Sequence, residues 1–363
     1  MGEPLQRGGN GYDEATALTT DAAGNVLVTG YADTGNQNWD YLTLKYATAS
    51  GAPQWQARYN GPDGGYDEAR EVAVDGQGNV TVTGRSFNAQ GQSEYATVRY
   101  AGASGQALWQ VRALGPNGES QAPTGLAVDA AGNVAVTGSV VLSSSDTDYA
   151  TLRYSATGQL TWRARYASPF AQSAEAPTDL AVDAAGNVYV TGTAPDLVDG
   201  RSNDYLTLKY APSGQQLWEA RYSGPSPGYE MPLAVAVDAA GNVYVTGTSA
   251  GIGGDTSPNR DVATIKYSPT GQQLWVARYD GPDPVGSGDF GSDLALDAAG
   301  NVLVTGFSTG LGTNYDYLTL KYSPSGQPLW QARYNGPANG SDVAQSVAVD
   351  AAGYVVVTGS SEG

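Results

Sequence analysis

The chain has 363 residues, no cysteine and no histidine, and its 18 Lys and Arg against 36 Asp and Glu give a formal net charge of −18. These counts exclude disulfides, thiolate nucleophiles, Cys-ligated zinc and the imidazole that is the commonest general base. The acidic excess argues against a nucleic-acid or anionic-lipid partner, and no apolar run approaches the roughly 18 residues of a membrane span.

The chain opens on "MGEPLQRGGN", which lacks the pattern of a signal peptide. After it, one phrase recurs. Asp21, Asp75, Asp129, Asp183, Asp238, Asp297 and Asp350 each open a D-A-A-G-N-like turn, at spacings of 54, 54, 54, 55, 59 and 53 residues. Such a turn needs one left-handed residue, which Gly24 and its equivalents supply at low cost, while the Asp bonds nearby amides.

Four short strands are predicted in each repeat. Strand a ends in "LAVD", b reads "NVYVTG" (187–192), c reads "DYLTLKY" (204–210) and d reads "LWQARY" (329–334). All are rich in Val, Leu, Thr and Tyr and bounded by Gly, Pro, Asn and Ser, and no window has a helical period. Strand a carries a small residue two before the turn Asp: Thr19, then Ala73, Ala127, Ala181, Ala236, Ala295 and Ala348. Strand d carries Trp55, Trp109, Trp162, Trp218, Trp275 and Trp330. Small side chains where sheets converge and large rings where they splay apart are what a propeller's taper demands.

The prediction is therefore an all-β chain, one β-propeller domain over residues 1–363 with four-stranded antiparallel blades. The repeats span about 10–60, 61–114, 115–167, 168–224, 225–280 and 281–336, with a partial seventh in 337–363 plus 1–9. The seventh has strands a and b alone, and "PLQR" (4–7) is a candidate remnant of strand d. The alternative is six blades with a spare hairpin.

The pattern D-x-x-G-N-V-Y-V-T-G … D-Y-x-T-x-K-Y … G-x-x-x-W-x-x-R-Y resembles the SBBP-type, seven-bladed β-propeller repeat of bacterial cell-surface and secreted proteins. Its D-x-x-G-N hairpin is also similar to that of NHL-type propellers. The resemblance covers nearly the whole chain and implies an extracellular or cell-surface setting. It implies no activity, because the shared residues are those that build blades. The histidine- and metal-dependent lyases and lactonases of NHL-like kind match poorly, since this chain has no histidine.

In an a-b-c-d meander the a–b and c–d turns share one edge of the blade, and the b–c and d–a loops share the other. The first set is stereotyped and the second varies, with b–c loops of nine residues in four repeats, eleven at 193–203 and thirteen at 248–260. Variable loops on a rigid scaffold suit binding. Eight residues before the turn Asp stands an acid in six of seven repeats, namely Asp13, Asp67, Glu175, Glu230, Asp289 and Asp342, with Gln121 the exception. These are the candidate metal residues, as a ring of carboxylates around a channel mouth that could hold Ca2+. The other reading is that each caps its own loop amides. The segment "DGPDPVGSGDFGSD" (280–293) is oxygen-rich enough for calcium but has no EF-hand spacing.

Of the 18 basic residues, 12 occupy repeat positions in strands c and d, which leaves no basic cluster for phosphate. They are expected to pair with blade acids such as Asp40 or to lie along Tyr and Trp rings. The function expected is a non-enzymatic extracellular binding or adhesion scaffold whose variable loops hold a protein or polysaccharide. No catalytic residue is assigned and no cofactor is required. A structural subunit joined by strand addition at the edge Val355–Val357 is the first alternative, and a carboxylate- or metal-dependent hydrolase or lyase the second.

Overall fold

The computed structural model describes residues 13–33, 38–143, 146–170, 173–198, 202–226, 228–251, 259–282 and 288–362. The strands are β1(Asp13–Thr20), β2(Val26–Asp33), β3(Trp39–Tyr46) and β4(Pro53–Tyr59) in blade 1, and β5(Asp67–Val74), β6(Val80–Phe87), β7(Ser93–Tyr100) and β8(Ala107–Ala113) in blade 2. Blade 3 holds β9(Ser120–Val128), β10(Val134–Ser143), β11(Asp146–Tyr154) and β12(Leu160–Tyr166), and blade 4 holds β13(Ala176–Val182), β14(Val188–Pro195), β15(Asn203–Tyr210) and β16(Gln216–Tyr222). Blade 5 holds β17(Met231–Val237), β18(Val243–Ala250), β19(Arg260–Tyr267) and β20(Gln273–Tyr279), and blade 6 holds β21(Asp289–Leu296), β22(Val302–Thr309), β23(Tyr315–Tyr322) and β24(Pro328–Tyr334). Blade 7 is the pair β25(Asp342–Val349) and β26(Val355–Ser361). The first six are meanders of four antiparallel strands in chain order, and the seventh has two strands. This is a seven-bladed β-propeller fold with an incomplete last blade. The last pair takes a blade's place, because β25 packs on the strands of blade 6 as β21 packs on those of blade 5.

The chain forms two compact units, residues 1–177 with 212–214, and residues 178–211 with 215–363. In the first, the Tyr41, Tyr59, Ala69, Val72, Val80 and Val98 side chains make a dry layer between blades 1 and 2. In the second, Val235, Val243, Val245, Ile265 and Tyr267 of blade 5 pack on Tyr189, Tyr205 and Tyr222 of blade 4. Apolar burial of this kind is the main stabilising force, and each blade supplies only half of each layer. A threonine pair crosses the middle of strands b and c, with hydroxyls 3.0 Å apart in Thr29–Thr43, Thr83–Thr97 and Thr246–Thr264. These are cross-strand partners in the ladder, so each buried hydroxyl has its bond within the sheet.

The repeated turn takes the form its residues dictate. Gly24 is left-handed at φ 77° and bonds its amide to Asp21 O at 2.8 Å. Asp21 Oδ1 accepts the amides of Ala23 and Asn25 at 3.0 and 2.9 Å, and its other oxygen meets Lys45 Nζ at 2.8 Å. Burial works to raise the Asp21 carboxyl, but Lys45, Asn25 and the backbone donors outweigh it and hold it at about 2.

The basic residues of the repeat are spent inside the blades. Lys45 and Lys321 pair with turn acids at 2.8 Å, and Arg99 and Arg153 pair with Asp75 and Asp129. Arg112, Arg278 and Arg333 of strand d pair with Glu94, Asp261 and Asp316 of strand c at 2.8–2.9 Å. Lys209 and Lys266 lie 5.0 and 4.9 Å over the rings of Tyr189 and Tyr244.

The tryptophans do more than fill space. Trp55 Nε1 donates to Gly102 O in the next blade at 2.9 Å, Trp109 to Ala156 O at 2.9 Å and Trp218 to Pro269 O at 3.0 Å. The ring also lies against the left-handed glycine of that neighbouring turn: a Cβ on Gly271 would stand 2.8 Å from Trp218 Cδ2. Depth is not uniform, because Trp55 and Trp162 are each 9% exposed and Trp330 is 40% exposed.

Candidate functional site

Strand geometry brings the starts of a and c and the ends of b and d to one edge of each four-stranded blade. Five of the six acids predicted there are fully or almost fully buried, namely Asp67, Glu175, Glu230, Asp289 and Asp342, while Asp13 is exposed. Each accepts hydrogen bonds from loop backbone. Asp67 takes the Gly61 amide at 2.6 Å, Asp289 that of Gly281 at 2.6 Å and Asp342 that of Gly336 at 2.6 Å. Glu175 takes the Ser168 amide at 3.1 Å and the Ser173 hydroxyl at 2.7 Å; Glu230 takes the Ala250 amide at 3.0 Å, and Asp13 the Asp33 amide at 3.1 Å. The glycine before the loop proline is required by this contact, since a Cβ on Gly281 would sit 2.6 Å from Asp289 Oδ1.

Among the described residues, one group of three acids approaches ligand spacing. Asp261, Asp280 and Asp289 each place a carboxylate oxygen within 4.8 Å of the others, and of the six predicted acids it includes only Asp289. Asp261 Oδ2 is held by Arg278 Nη2 at 2.8 Å, while its Oδ1 is buried with no hydrogen-bond partner. Blade 4 shows what is different here. At the position of Asp280 it has Ser223, whose hydroxyl donates to Asp204 Oδ1 at 2.7 Å. An ionised Asp280 has no proton to donate. Burial, with Asp280 and Asp261 nearby, pushes the Asp289 carboxyl up to about 6, and burial with Asp280 also raises Asp261 against the pull of Arg278. Three oxygens so placed, one on an exposed residue, have the chemistry to hold a hard divalent cation.

Sequence reasoning missed the aromatic groups at this same edge. Trp39 is the one tryptophan of seven outside strand d. Its ring centroid lies 5.2 Å from that of Tyr31 and 5.3 Å from that of Tyr66, and the Tyr31 hydroxyl donates to Glu14 at 2.6 Å. In the second unit Phe290 and Phe307, cross-strand partners, stack at 4.6 Å and 18°, and Tyr315 meets both edge-on at 5.8 and 5.0 Å. The Arg260 guanidinium lies 5.6 Å over Phe290 and 5.5 Å over Tyr229. All four phenylalanines of the chain (Phe87, Phe170, Phe290 and Phe307) stand at loop ends of strands a and b or in a d–a loop. Trp39 and Tyr315 share one register position, before D-Y-L-T-L-K-Y, and Tyr31 and Phe307 share another, after V-T-G; the signal that finds them is a ring at loop-end positions that the other repeats fill with Ser, Thr, Asn or Arg.

No protein-family model matches the chain, and no curated protein matches it. Among solved structures it is similar to a protein of unknown function from Bacteroides caccae, at 13% identity over 88% of this chain and 97% of that one, with a TM-score of 0.42. It is also similar to the quinohemoprotein alcohol dehydrogenase from Comamonas testosteroni, at 10% identity over 93% of this chain and 70% of that one, with a TM-score of 0.45. Neither likeness bears on what this chain binds or does.

Proposed function

We propose that this chain is a non-enzymatic binding scaffold of SBBP type, working outside the cell or at its surface, and that the b–c and d–a edge of its blades holds a polysaccharide or a protein. The observation that carries this reading is the clustering of aromatic rings at loop-end positions of blade 1 with its neighbour and of blade 6. Trp39 with Tyr31 and Tyr66, and Phe290 with Phe307 and Tyr315, gather rings at the edge where blade building asks for none. Partly exposed ring faces are the usual anchors of recognition surfaces, because they contribute large contact area at small entropy cost. Most acids of strand a hold their own loops, so stacking is the chemistry this edge offers a polysaccharide or protein, beside the one acid group that suits a cation.

The test is a screen of the chain against immobilised envelope polysaccharides and surface proteins, repeated with Trp39→Ala and with Phe290→Ala plus Phe307→Ala. A ligand whose affinity falls tenfold or more, about 1.4 kcal/mol, in either variant supports the reading. Ligands found by the screen that both variants bind as tightly as the parent would overturn it.

A further inference from the structure

Strand d ends in tyrosine in five of the six complete repeats, at Tyr59, Tyr166, Tyr222, Tyr279 and Tyr334, and in Ala113 in blade 2. Where strand c has its own tyrosine opposite, the two rings meet: Tyr41 with Tyr59 at 5.1 Å, Tyr149 with Tyr166 at 5.8 Å, Tyr205 with Tyr222 at 5.5 Å and Tyr317 with Tyr334 at 5.7 Å. In blade 2 the cross-strand partner of Tyr95 is Ala113. Tyr95 is fully buried in the layer between blades 2 and 3, and its hydroxyl donates to Ala150 O of blade 3 at 3.3 Å. Ala113 packs at the margin of that layer and is half-buried, whereas Tyr59 and Tyr222 are buried. The ring that four other blades stack there is replaced by a methyl group, in a layer that is otherwise close-packed.

The polar groups that accompany the ring differ at this place too. In blades 5 and 6 the strand-d arginine donates to the tyrosine hydroxyl of the preceding blade, Arg278 Nη1 to Tyr222 at 2.6 Å and Arg333 Nη1 to Tyr279 at 3.2 Å. Blade 3 has Arg165 at that position, with Ala113 before it. Arg165 pairs with Asp148, and its side chain is 41% exposed where those of Arg278 and Arg333 are 21% exposed. The residue that opens strand a is Gln121 in place of an acid. In blades 2, 6 and 7 the acid lies opposite a serine of strand b, Ser86, Ser308 or Ser361, whereas Gln121 lies opposite Val140. Gln121 is wholly buried, and among the described residues neither its Oε1 nor its Nε2 has a hydrogen-bond partner. A buried amide unpaired at both ends is costly, and native side chains seldom carry that cost unless a polar group comes to meet them.

We propose that the place of Ala113, between blades 2 and 3, is a binding slot for a phenol. The ring of the guest takes the position that Tyr59 and Tyr222 hold in their own blades, against Tyr95, and its hydroxyl meets the Arg165 guanidinium and the Gln121 amide. Gln121 suits a neutral guest better than the acid of the other repeats. Its Nε2 donates and its Oε1 accepts, so it bonds a hydroxyl in either sense and brings no charge into the slot. Ala113 and Arg165 both reach solvent, which gives the guest a way in. Small aromatic guests occupy cavities of this kind, left where a small side chain stands in for a large one within a rigid layer. A free phenol and the tyrosine side chain of a partner protein present the same chemistry here. The proposal does not rest on the exposed rings of blades 1 and 6.

The experiment titrates the full chain with p-cresol, which is the tyrosine side chain without its backbone. Saturable binding with Kd of about 1 mM or tighter, and a rise in Tm at saturation, are expected. Ala113→Tyr fills the slot from within, and should raise Tm without ligand and abolish p-cresol binding. Gln121→Leu should reduce the preference for p-cresol over toluene, which has the ring without the hydroxyl, by about fivefold or more. The capped tripeptide Gly-Tyr-Gly separates the two sources. Binding at least as tight as that of p-cresol assigns the slot to a partner's tyrosine, and weaker binding assigns it to free phenols. No saturable binding at about 10 mM p-cresol overturns the proposal. So does p-cresol binding that Ala113→Tyr leaves unchanged, or a preference over toluene that Gln121→Leu leaves unchanged. An Ala113→Tyr chain that is less stable than the parent, or does not fold, also overturns it, because the neighbouring side chains then already close the slot.

Discussion

Trp218 and Trp330 occupy the same position in the same phrase, and they live in different worlds. Trp218 has a glycine against its face, a tyrosine at its flank and a carbonyl on its Nε1, all from the blade that follows. Trp330 is 40% exposed and has none of these among the described residues. The lesson is that a repeat encodes only half of each interface. The phrase L-W-x-A-R-Y makes a donor surface, and what that surface contributes depends on whether a following phrase S-P-x-G-Q arrives to meet it.

The largest effect expected follows from that difference. Trp218→Ala should cost about 3 kcal/mol in chemical denaturation, the lower end of the usual range for truncating a buried aromatic, and Trp330→Ala under about 1 kcal/mol. Equal costs would mean that the stabilisation comes from the indole's own strand and not from its neighbour. A glycine pair sharpens the point. Gly271 and Gly353 are both left-handed, at φ 83° and 86°, but a Cβ on Gly271 would meet the Trp218 ring at 2.8 Å and one on Gly353 would meet nothing within 4 Å. Ala at Gly353 should therefore cost only the backbone strain of about 1 kcal/mol, and Ala at Gly271 that amount plus the displacement of the ring. Thermal unfolding of the two variants measures the difference.

How legible these features were in the sequence varied with how local their cause is. The D-A-A-G-N hairpin was fully readable, because the left-handed glycine and the carboxylate over the turn amides lie within five residues. The indole's role was half readable. Its size announced an interface, but its hydrogen bond goes to a turn 47 or more residues on, which no local pattern shows. The strand-a acids were visible as a column, whereas their bond to the loop glycine depends on how the loop folds back. The Asp261 cluster was visible in part. Asp280 and Asp289 share one segment, but Asp261 belongs to the start of β19 and reaches them only because the strands of blade 5 return beside β21. Trp39 and the phenylalanines were overlooked because a search for repetition discards departures. The strand-d remnant expected at "PLQR" (4–7) lies outside the described residues.

A smaller effect compares the lysines of the two regions. Lys266 is held by Pro324 O and the Tyr244 ring, whereas Lys321 has the ion pair with Asp297. Burial works to raise the Asp297 carboxyl, and Lys321 with Asn301 brings it down to about 2, below its ordinary 3.8. A depressed carboxyl contributes stability above pH 3.8 and loses it as pH falls toward 2. Lys321→Met should thus cost less than about 1 kcal/mol at pH 7, as expected of a partly solvated pair, and nothing at pH 2. Lys266→Met should remain costly at both, because a carbonyl and an aromatic ring do not titrate there. Parallel pH series of urea midpoints would sink this account if the two variants converge at low pH.

The smallest effect separates two kinds of strand-a acid. Glu175 and Glu230 bond loop amides and lie outside the three-acid group, whereas Asp289 shares its site with Asp261 and Asp280. The Asp289 carboxyl sits at about 6, above its ordinary 3.8, so the folded state is penalised as the group ionises between those values and above them. Stability from this site should rise as pH falls from 7 toward 4. A divalent cation relieves the same penalty by binding the ionised folded form. Millimolar Ca2+ is therefore expected to raise Tm by a few degrees at pH 7.5 and by less at pH 5, where protons compete for the carboxylates. Asp280→Ser, which installs the donor that Ser223 provides in blade 4, should raise Tm without calcium and abolish the calcium response. Glu175→Gln with Glu230→Gln should leave that response intact. If the Glu pair abolishes the response and Asp280→Ser spares it, the ion belongs to a ring of strand-a acids. If calcium moves Tm in none of the three proteins, all six strand-a acids serve as caps and the cluster at Asp261 holds a shared proton instead.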